Sequence, residues 1–329
     1  MGLSLGCSGQ VPSHTGIGVI QQKLYPFLES RGHELSHSRN RDLGPGIIPR
    51  GQGMYQGLRR APGTHDAYLS LTPPFPFAVQ APTVGVVHDL RWTRTRGPVS
   101  RAYREWDLRR TVRKSARVVC VSDRTKHDLA GFVPEAGRKA LTVWPGPGHM
   151  PHDSFVESNS GTLLLVGGAR HKRNEDAARL LATSKPTWIS GIVGIGVSDE
   201  TRKILDAAFE NCQWLYSISD NEVVEQFVTA EFFMLLSQDE GFGLPYIEAL
   251  AAGCTVIAVD QVLTRELLGS EALLLDPARC DTWSTDLQHP PALPATARKE
   301  RAARYSWTAF GAAIEEQLIS VASHGEVAG

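Results

Sequence analysis

The stretch Asp239-Glu240-Gly241-Phe242-Gly243-Leu244-Pro245-Tyr246-Ile247-Glu248-Ala249-Leu250 follows directly on the apolar run Phe232 to Leu236. An apolar run, then glycines, then a proline suited to a first helical position spells a strand, a tight loop and a helix N-terminus. Such a junction turns free N–H groups and the positive end of a helix dipole toward the loop, which suits a phosphate or another anion. With a helix starting at Leu244 or Pro245, Glu248 falls near its first turn and Glu240 in the loop before it. Both carboxylates can then face one ligand from the C-terminal edge of a sheet. The plainer reading is that Glu248 complements the dipole and Glu240 is a solvated acid.

Outward from this stretch, short apolar runs alternate with helical patterns, the signature of a parallel sheet covered by helices. Strands are expected at Leu163–Val166, Trp188–Val193, Trp214–Tyr216, Phe232–Leu236 and Thr255–Val259, with helices at Asn174–Thr183 and Asp199–Asn211 and another capped by Asp220. The first half is less regular but offers a helix at Ile17–Arg31, a strand at Thr83–Val87, a helix at Val99–Ala116 and a strand at Val118–Val121. Between the halves, Pro145-Gly146-Pro147-Gly148-His149-Met150-Pro151 can hold neither a helix nor an interior strand and is read as the hinge. A chain of 329 residues with a 42% hydrophobic share can bury two modest cores. The expected division is an N-terminal domain over 1–147, a C-terminal domain over 148–304, and a last helical stretch, 305–329, able to pack on either domain, the N-terminal one included.

A formal net charge of -1 gives no global pull toward nucleic acid or an anionic membrane. Cys7, Cys120, Cys212, Cys254 and Cys280 are scattered and form no C-x-x-C pair, which argues against a disulfide framework or a zinc site and fits a reducing compartment. With no apolar run long enough to span a membrane and no export signal, a cytoplasmic protein is expected.

A second anion-binding candidate is Val166-Gly167-Gly168-Ala169-Arg170-His171-Lys172-Arg173-Asn174, where Asn174 can cap the next helix and cations converge with backbone N–H groups. A solvated basic loop is the plainer alternative. His88 closes an apolar strand and is followed by Asp89, a polar pair at a strand end where a histidine commonly serves as a structural hydrogen-bonding residue. Gly16-Ile17-Gly18 would let N–H groups approach a phosphate or acceptor, but fails as a dinucleotide fingerprint because Gln21 holds the third glycine's place and no clear strand precedes it. The segment Arg91–Arg117 is densely basic, including Arg94 and Arg96, and reads as the solvated face of a helix whose Ala102, Tyr103, Trp106 and Val112 turn inward. His149 and His152 have a metal-like spacing in a Pro-rich setting without an acid or thiol nearby, which argues against a metal site.

The string from Glu240 to Glu248 resembles the E-x7-E signature of retaining glycosyltransferase family 4, whose members have the GT-B fold. The segments Ala251–Ala258, Arg265–Leu268, Thr15–Gly18, His88–Leu90, Val121–Leu129 and Ser306-Trp307 look like that family too, in the expected order. The resemblance implies two Rossmann-like domains with parallel sheets facing a central cleft. It assigns Glu248 to the nucleotide ribose, Glu240 and His88 to the transferred sugar, and Lys172 and Arg173 to the donor diphosphate, with Arg170 as substitute. Gly16, Gly18, Gly167, Gly168, Asn174, Gly241, Phe242, Gly243 and Leu244 are expected to line the donor site. The sequence departs from the commoner family pattern at Gly168, where many members have Arg.

The resemblance implies transfer of a sugar from a nucleotide diphosphate donor, GDP-linked by preference; a chain short for that family and rich in Arg, Ala and Gly points to a small-molecule acceptor, through O or S, as in specialised-metabolite assembly. No metal and no cofactor beyond the co-substrate is expected, because no Asp-x-Asp motif is present and cations take its place. Alternatives are a polysaccharide or lipid-linked mannosyl- or rhamnosyltransferase, a nucleotide-sugar epimerase, and a non-catalytic sugar-nucleotide-binding subunit. Nucleic acid is not expected as a partner, and membrane contact is not favoured.

Overall fold

Three to five residues suffice for a parallel strand when both faces are covered, and such short runs build both sheets of this chain. The computed structural model describes residues 2–9, 11–12, 15–37, 64–71, 79–91, 93, 97–151, 153–289 and 293–324. The chain divides into two compact α/β units, Met1–Gly146 with Ser306–Gly329, and Pro147–Tyr305.

The first unit contains β1 (Ser4–Cys7), α1 (Gly16–Ser30), β2 (Glu34–His37), β3 (Ala67–Ser70), β4 (Thr83–Val87), α2 (Pro98–Lys114), β5 (Arg117–Cys120), α3 (Asp123–Phe132) and β6 (Ala140–Thr142). Its strands form one six-stranded sheet in the order β2-β1-β3-β4-β5-β6, with every pairing parallel. The second unit contains β7 (Thr162–Val166), α4 (Asn174–Ser184), β8 (Gly191–Ile195), α5 (Asp199–Asp206), β9 (Cys212–Leu215), α6 (Asp220–Thr229), β10 (Phe232–Leu235), α7 (Leu244–Ala252), β11 (Thr255–Val259), α8 (Val262–Leu268), β12 (Ala272–Leu275), α9 (Trp283–Asp286) and α10 (Ala295–Ala302). Its sheet runs β12-β11-β10-β7-β8-β9, again all parallel. From β7 the chain moves outward through β8 and β9, then returns to the other side of β7 at β10. The strand order therefore reverses between β7 and β10, and the loops leaving their C-terminal ends splay apart at a topological switch point. Helix α11 (Trp307–His324) belongs to the first unit.

Several local expectations are corrected. A strand does precede Gly16: β1 is short and carries Gly6, so it lacks a strong apolar run, yet Leu5 and Cys7 are fully buried. The expected strand at Trp188–Val193 begins only at Gly191 and runs to Ile195. Helix α5 ends at Asp206, well before Asn211. Ser219, not Asp220, caps α6, through a capping box with Glu222. In α2 the inward residues are Asp107 and Val112, while Ala102 is exposed and Trp106 stands 47% exposed, its ring under the Arg110 guanidinium. Arg94, Arg96, His152, Pro290 and Pro291 lie outside the described residues.

The return of α11 is fastened by a buried carboxylate. Glu315 accepts from Arg31 Nε at 3.1 and 3.2 Å and from His33 Nε2 at 3.0 Å. The Leu3 N–H donates to His33 Nδ1 at 3.1 Å, so the ring proton sits on Nε2, where the carboxylate needs it. Burial pushes the Glu315 carboxyl up, but hydrogen bonds from His33 and Arg31 outweigh it and hold the group below the usual carboxylate range. A depressed folded pKa gives stability that is present above about pH 4.3, the unfolded value, and is lost as pH falls through the folded pKa. Replacing Glu315 by Ala should cost about 2 kcal/mol at pH 7, lowering the melting temperature by several degrees. Thermal melts from pH 3 to pH 7 should show the wild-type advantage over Glu315→Gln shrinking toward acid.

Candidate functional site

The two loops at the second unit's switch point carry Glu240 and the cations singled out in the sequence. After β7, Gly167 takes a left-handed φ of +87° and the chain makes a 3-10 turn, Arg170–Lys172, before α4. After β10, the loop from Leu236 to Gly243 leads into α7. Lys172 Nζ lies 3.1 Å from Glu240 Oε1, and His171 Nε2 lies 3.7 Å from the same oxygen. Both members of the Lys172–Glu240 pair are largely buried, with 15% and 11% of their side chains exposed. At an effective dielectric of about 20, two unit charges at this separation attract by roughly 5 kcal/mol before desolvation is subtracted. The pair thus keeps a cation and an anion fixed side by side at the strand ends.

Glu248 is the fifth residue of α7, in its second turn rather than its first, and only 7% exposed. Its Oε1 accepts the His149 backbone N–H at 3.1 Å. Burial pushes its carboxyl above the usual range; the His149 N–H, the His149 ring and the Lys172 charge pull the other way, and Asp220 adds to the rise. Glu248 therefore feels the same lysine that Glu240 pairs with, which ties the two acids of the motif to one cation.

Backbone geometry holds the loop that carries Glu240. Gly243 caps α7 at φ +78°, and a Cβ there would stand 2.6 Å from Tyr246 Cδ2. Tyr246 is fully buried and its hydroxyl donates to Leu235 O at 3.0 Å, pinning the end of β10 to the first turn of α7. Gln261 Nε2 donates to Ser237 O at 2.9 Å, fixing the loop from the β11 side. Phe242 is buried and meets Tyr305 edge to face. Leu244 opens the helix and Gly241 lies in the turn before it.

Other sequence candidates fall differently. Arg173, left-handed at φ 56°, pairs with Asp176 at 2.6 Å and, with Arg170 and Arg179, lines a cavity of about 280 Å³ that Lys172 and Glu240 do not line. Gly167 and Gly168 share that cavity's wall. Asn174 does not cap α4; Arg173 holds the cap position, and Asn174 donates from Nδ2 to the carbonyls of Val166 and Gly167. These bonds fix its amide at the end of β7, and Oδ1 is left buried without a hydrogen-bond partner.

In the first unit, His88 Nε2 donates to Leu71 O at 2.9 Å, which leaves Nδ1 with the lone pair. Burial lowers the ring's pKa and outweighs the Leu71 carbonyl and Asp89, which raise it, so the ring is a neutral acceptor. His88 and Asp89 line a cavity of about 160 Å³ with Ile17, Ser70, Arg104 and Asp107. Asp89 accepts from the Arg91 N–H. Gly16 is exposed at the start of α1, whereas the Gly18 N–H is already taken by the capping Thr15 side chain at 3.0 Å. Gln21, read only as a missing glycine, is buried and clasps the loop after β1 through Gly9 O and the Val11 N–H. Sequence reasoning also missed Gly148, His149 and Tyr246; the tyrosine's place one turn into the helix was the available signal for the last.

Two parallel six-stranded α/β units, each with loops opening at its switch point, define the GT-B fold. Residues 161–288, most of the second unit, match the family model "Glycosyl transferases group 1". The chain is 23% identical over 219 residues to the O-antigen chain mannosyltransferase RfbU of Salmonella typhimurium, a match spanning 63% of this chain and 60% of that protein. Among solved structures, it is similar to a sucrose-phosphate synthase from Thermosynechococcus elongatus, with a TM-score of 0.72 at 14% identity, covering 98% of this chain and all of that one (100%). It is also similar to HepE of Anabaena in complex with UDP-glucose, with a TM-score of 0.64 at 13% identity, covering 97% and 100%. Among the described residues, no helix is long and apolar enough to cross a membrane.

The raised carboxyl of Glu248 has a measurable sign. Above about pH 4.3 the unfolded chain ionises this acid while the folded one resists, so stability falls as pH rises from there through the folded pKa. Glu248→Gln can still accept the His149 N–H and carries no charge to desolvate. It should melt at a higher temperature than wild type at pH 7–8, with the difference closing by about pH 4 in paired thermal melts.

Proposed function

We propose that this chain is a retaining glycosyltransferase that moves a hexosyl group from a nucleotide diphosphate donor, GDP-linked by preference, to a small-molecule acceptor. The observation that carries the reading is the Lys172–Glu240 pair at 3.1 Å beside a buried Glu248, on the two loops of one switch point. Leaving-group departure from an anomeric carbon creates an oxocarbenium-like centre and a diphosphate. Lys172 supplies fixed positive charge for the diphosphate, with Arg173 and Arg170 of the same loop as the further cations. Glu240 faces the sugar and releases Lys172 when the donor phosphate arrives, so a charge already held in place is transferred from one anion to another. Glu248 takes the ribose hydroxyls as acceptor. His88, neutral and with its lone pair on Nδ1, accepts a hydroxyl of the transferred sugar. Attack on the same face, assisted by the leaving phosphate, needs no protein nucleophile, and cations of the protein replace a metal. The first unit receives the acceptor, and the reaction takes place in the cytoplasm.

The GDP preference follows from the sequence resemblance, while UDP-glucose in the HepE structure supports a UDP donor as the second reading. A thermal-shift panel of GDP, UDP, ADP and dTDP separates them. A nucleotide at about 100 times its dissociation constant adds about 2.7 kcal/mol, and the largest shift is expected with GDP. The smallest shift with GDP would discard the donor assignment. Glu248→Ala should weaken nucleotide binding by about tenfold, and Glu240→Ala should mainly slow transfer, by about a hundredfold. Wild-type kinetics in both folded variants would refute the site.

A further inference from the structure

A buried carboxylate can choose among many rotamers unless something fixes it, and here the chain itself passes across its oxygen. Residues 147–151 belong to the second unit, and Gly148 adopts a left-handed φ of +48°. A Cβ on Gly148 would stand 1.9 Å from Glu248 Oε1 and 2.4 Å from its Cδ, so only glycine lets the backbone close on the carboxylate. The next residue, His149, then donates its backbone N–H to that same oxygen at 3.1 Å. The His149 ring in turn lies 3.4 Å, Nδ1 to Oδ2, from Asp220, the first residue of α6. The ring is 19% exposed and Asp220 is 66% exposed, so the inner end of this chain is fixed and the outer end reaches solvent. Met150, 3% exposed, with its N–H bonded to Pro147 O, closes the turn on the other side.

We infer that Gly148 and His149 are positioning residues for Glu248, forming a backbone hook that holds one carboxylate oxygen so that the other is presented to the nucleotide, with Asp220 steadying the hook through the His149 ring. The inference rests on Glu248 as the nucleotide-binding acid and adds what sets its orientation. The hook gives Glu248 a directed hydrogen bond, whereas Lys172, Asp220 and the His149 ring act on it through charge.

A double-mutant cycle tests the hook, with GDP and UDP as the titrated probes and calorimetry as the readout. Gly148→Ala should raise the dissociation constant of the better-bound nucleotide by about tenfold, and Asp220→Asn by about threefold. In a Glu248→Ala background, neither change should weaken binding further, because there is no carboxylate left to orient. Equal losses in both backgrounds, or wild-type binding by Gly148→Ala, would overturn the hook. If Gly148→Ala does not fold, Asp220→Asn and His149→Ala decide the matter by the same non-additivity. If Glu248→Ala itself binds both nucleotides like wild type, the ribose assignment fails, a result distinct from failure of the hook alone.

Discussion

Burying the carboxylate of Glu248 in the second turn of an otherwise apolar helix is the constraint around which the second unit is arranged. Its neighbours Ile247, Ala249 and Leu250 are fully buried, so α7 cannot rotate to release the acid to water without opening the core. An acid held this way needs donors and positive charge close by. The His149 N–H provides the first and Lys172 the second. The arrangement is unfavourable to folding in the charged form, as the raised pKa of Glu248 records.

Topology explains why these groups meet. Lys172 and Glu240 are 68 residues apart, yet β7 and β10 are hydrogen-bonded neighbours, so the loops leaving them begin side by side. The alternation of short buried strands with helices then does what a single motif cannot. It sets two loops at one edge, one ending in a 3-10 turn rich in cations and the other in an acid before a helix N-terminus. The Lys172–Glu240 pair, at 3.1 Å, then joins the two loops.

Most of the second sheet was legible in the sequence, because strands such as Phe232–Leu235 and Thr255–Val259 are buried on both faces, but β12, Ala272–Leu275, was not among the expected strands. The first sheet was read less completely. β1, with Ser4 and Gly6 in four residues, and β2, Glu34–His37, lack the apolar signal, and their identity as strands comes from parallel partners distant in sequence. The inward face of helix α2 was read in part: Val112 is buried as expected, but tertiary packing buries Asp107 and leaves Trp106 outside, a choice that hydrophobicity cannot anticipate. The acids of the site were legible as a pair. Their environment was not, since whether Glu248 lies in the first or second turn decides between a dipole-facing surface acid and a buried one, and that hangs on a single residue of helix start.

The Pro-Gly segment shows the same limit from the other direction. Its composition rules out helix and interior strand, and residues 145–148 indeed adopt neither. Composition says nothing about what such a segment touches. The division between the two units falls between Gly146 and Pro147, and two residues later the backbone N–H of His149 fixes Glu248. Glycine at 148 and proline at 147 thus serve two demands at once: a chain that must leave one domain for the next, and a backbone that must approach a carboxylate more closely than any side chain allows. The connection between the domains and the contacts on the buried acid share the same few peptide bonds.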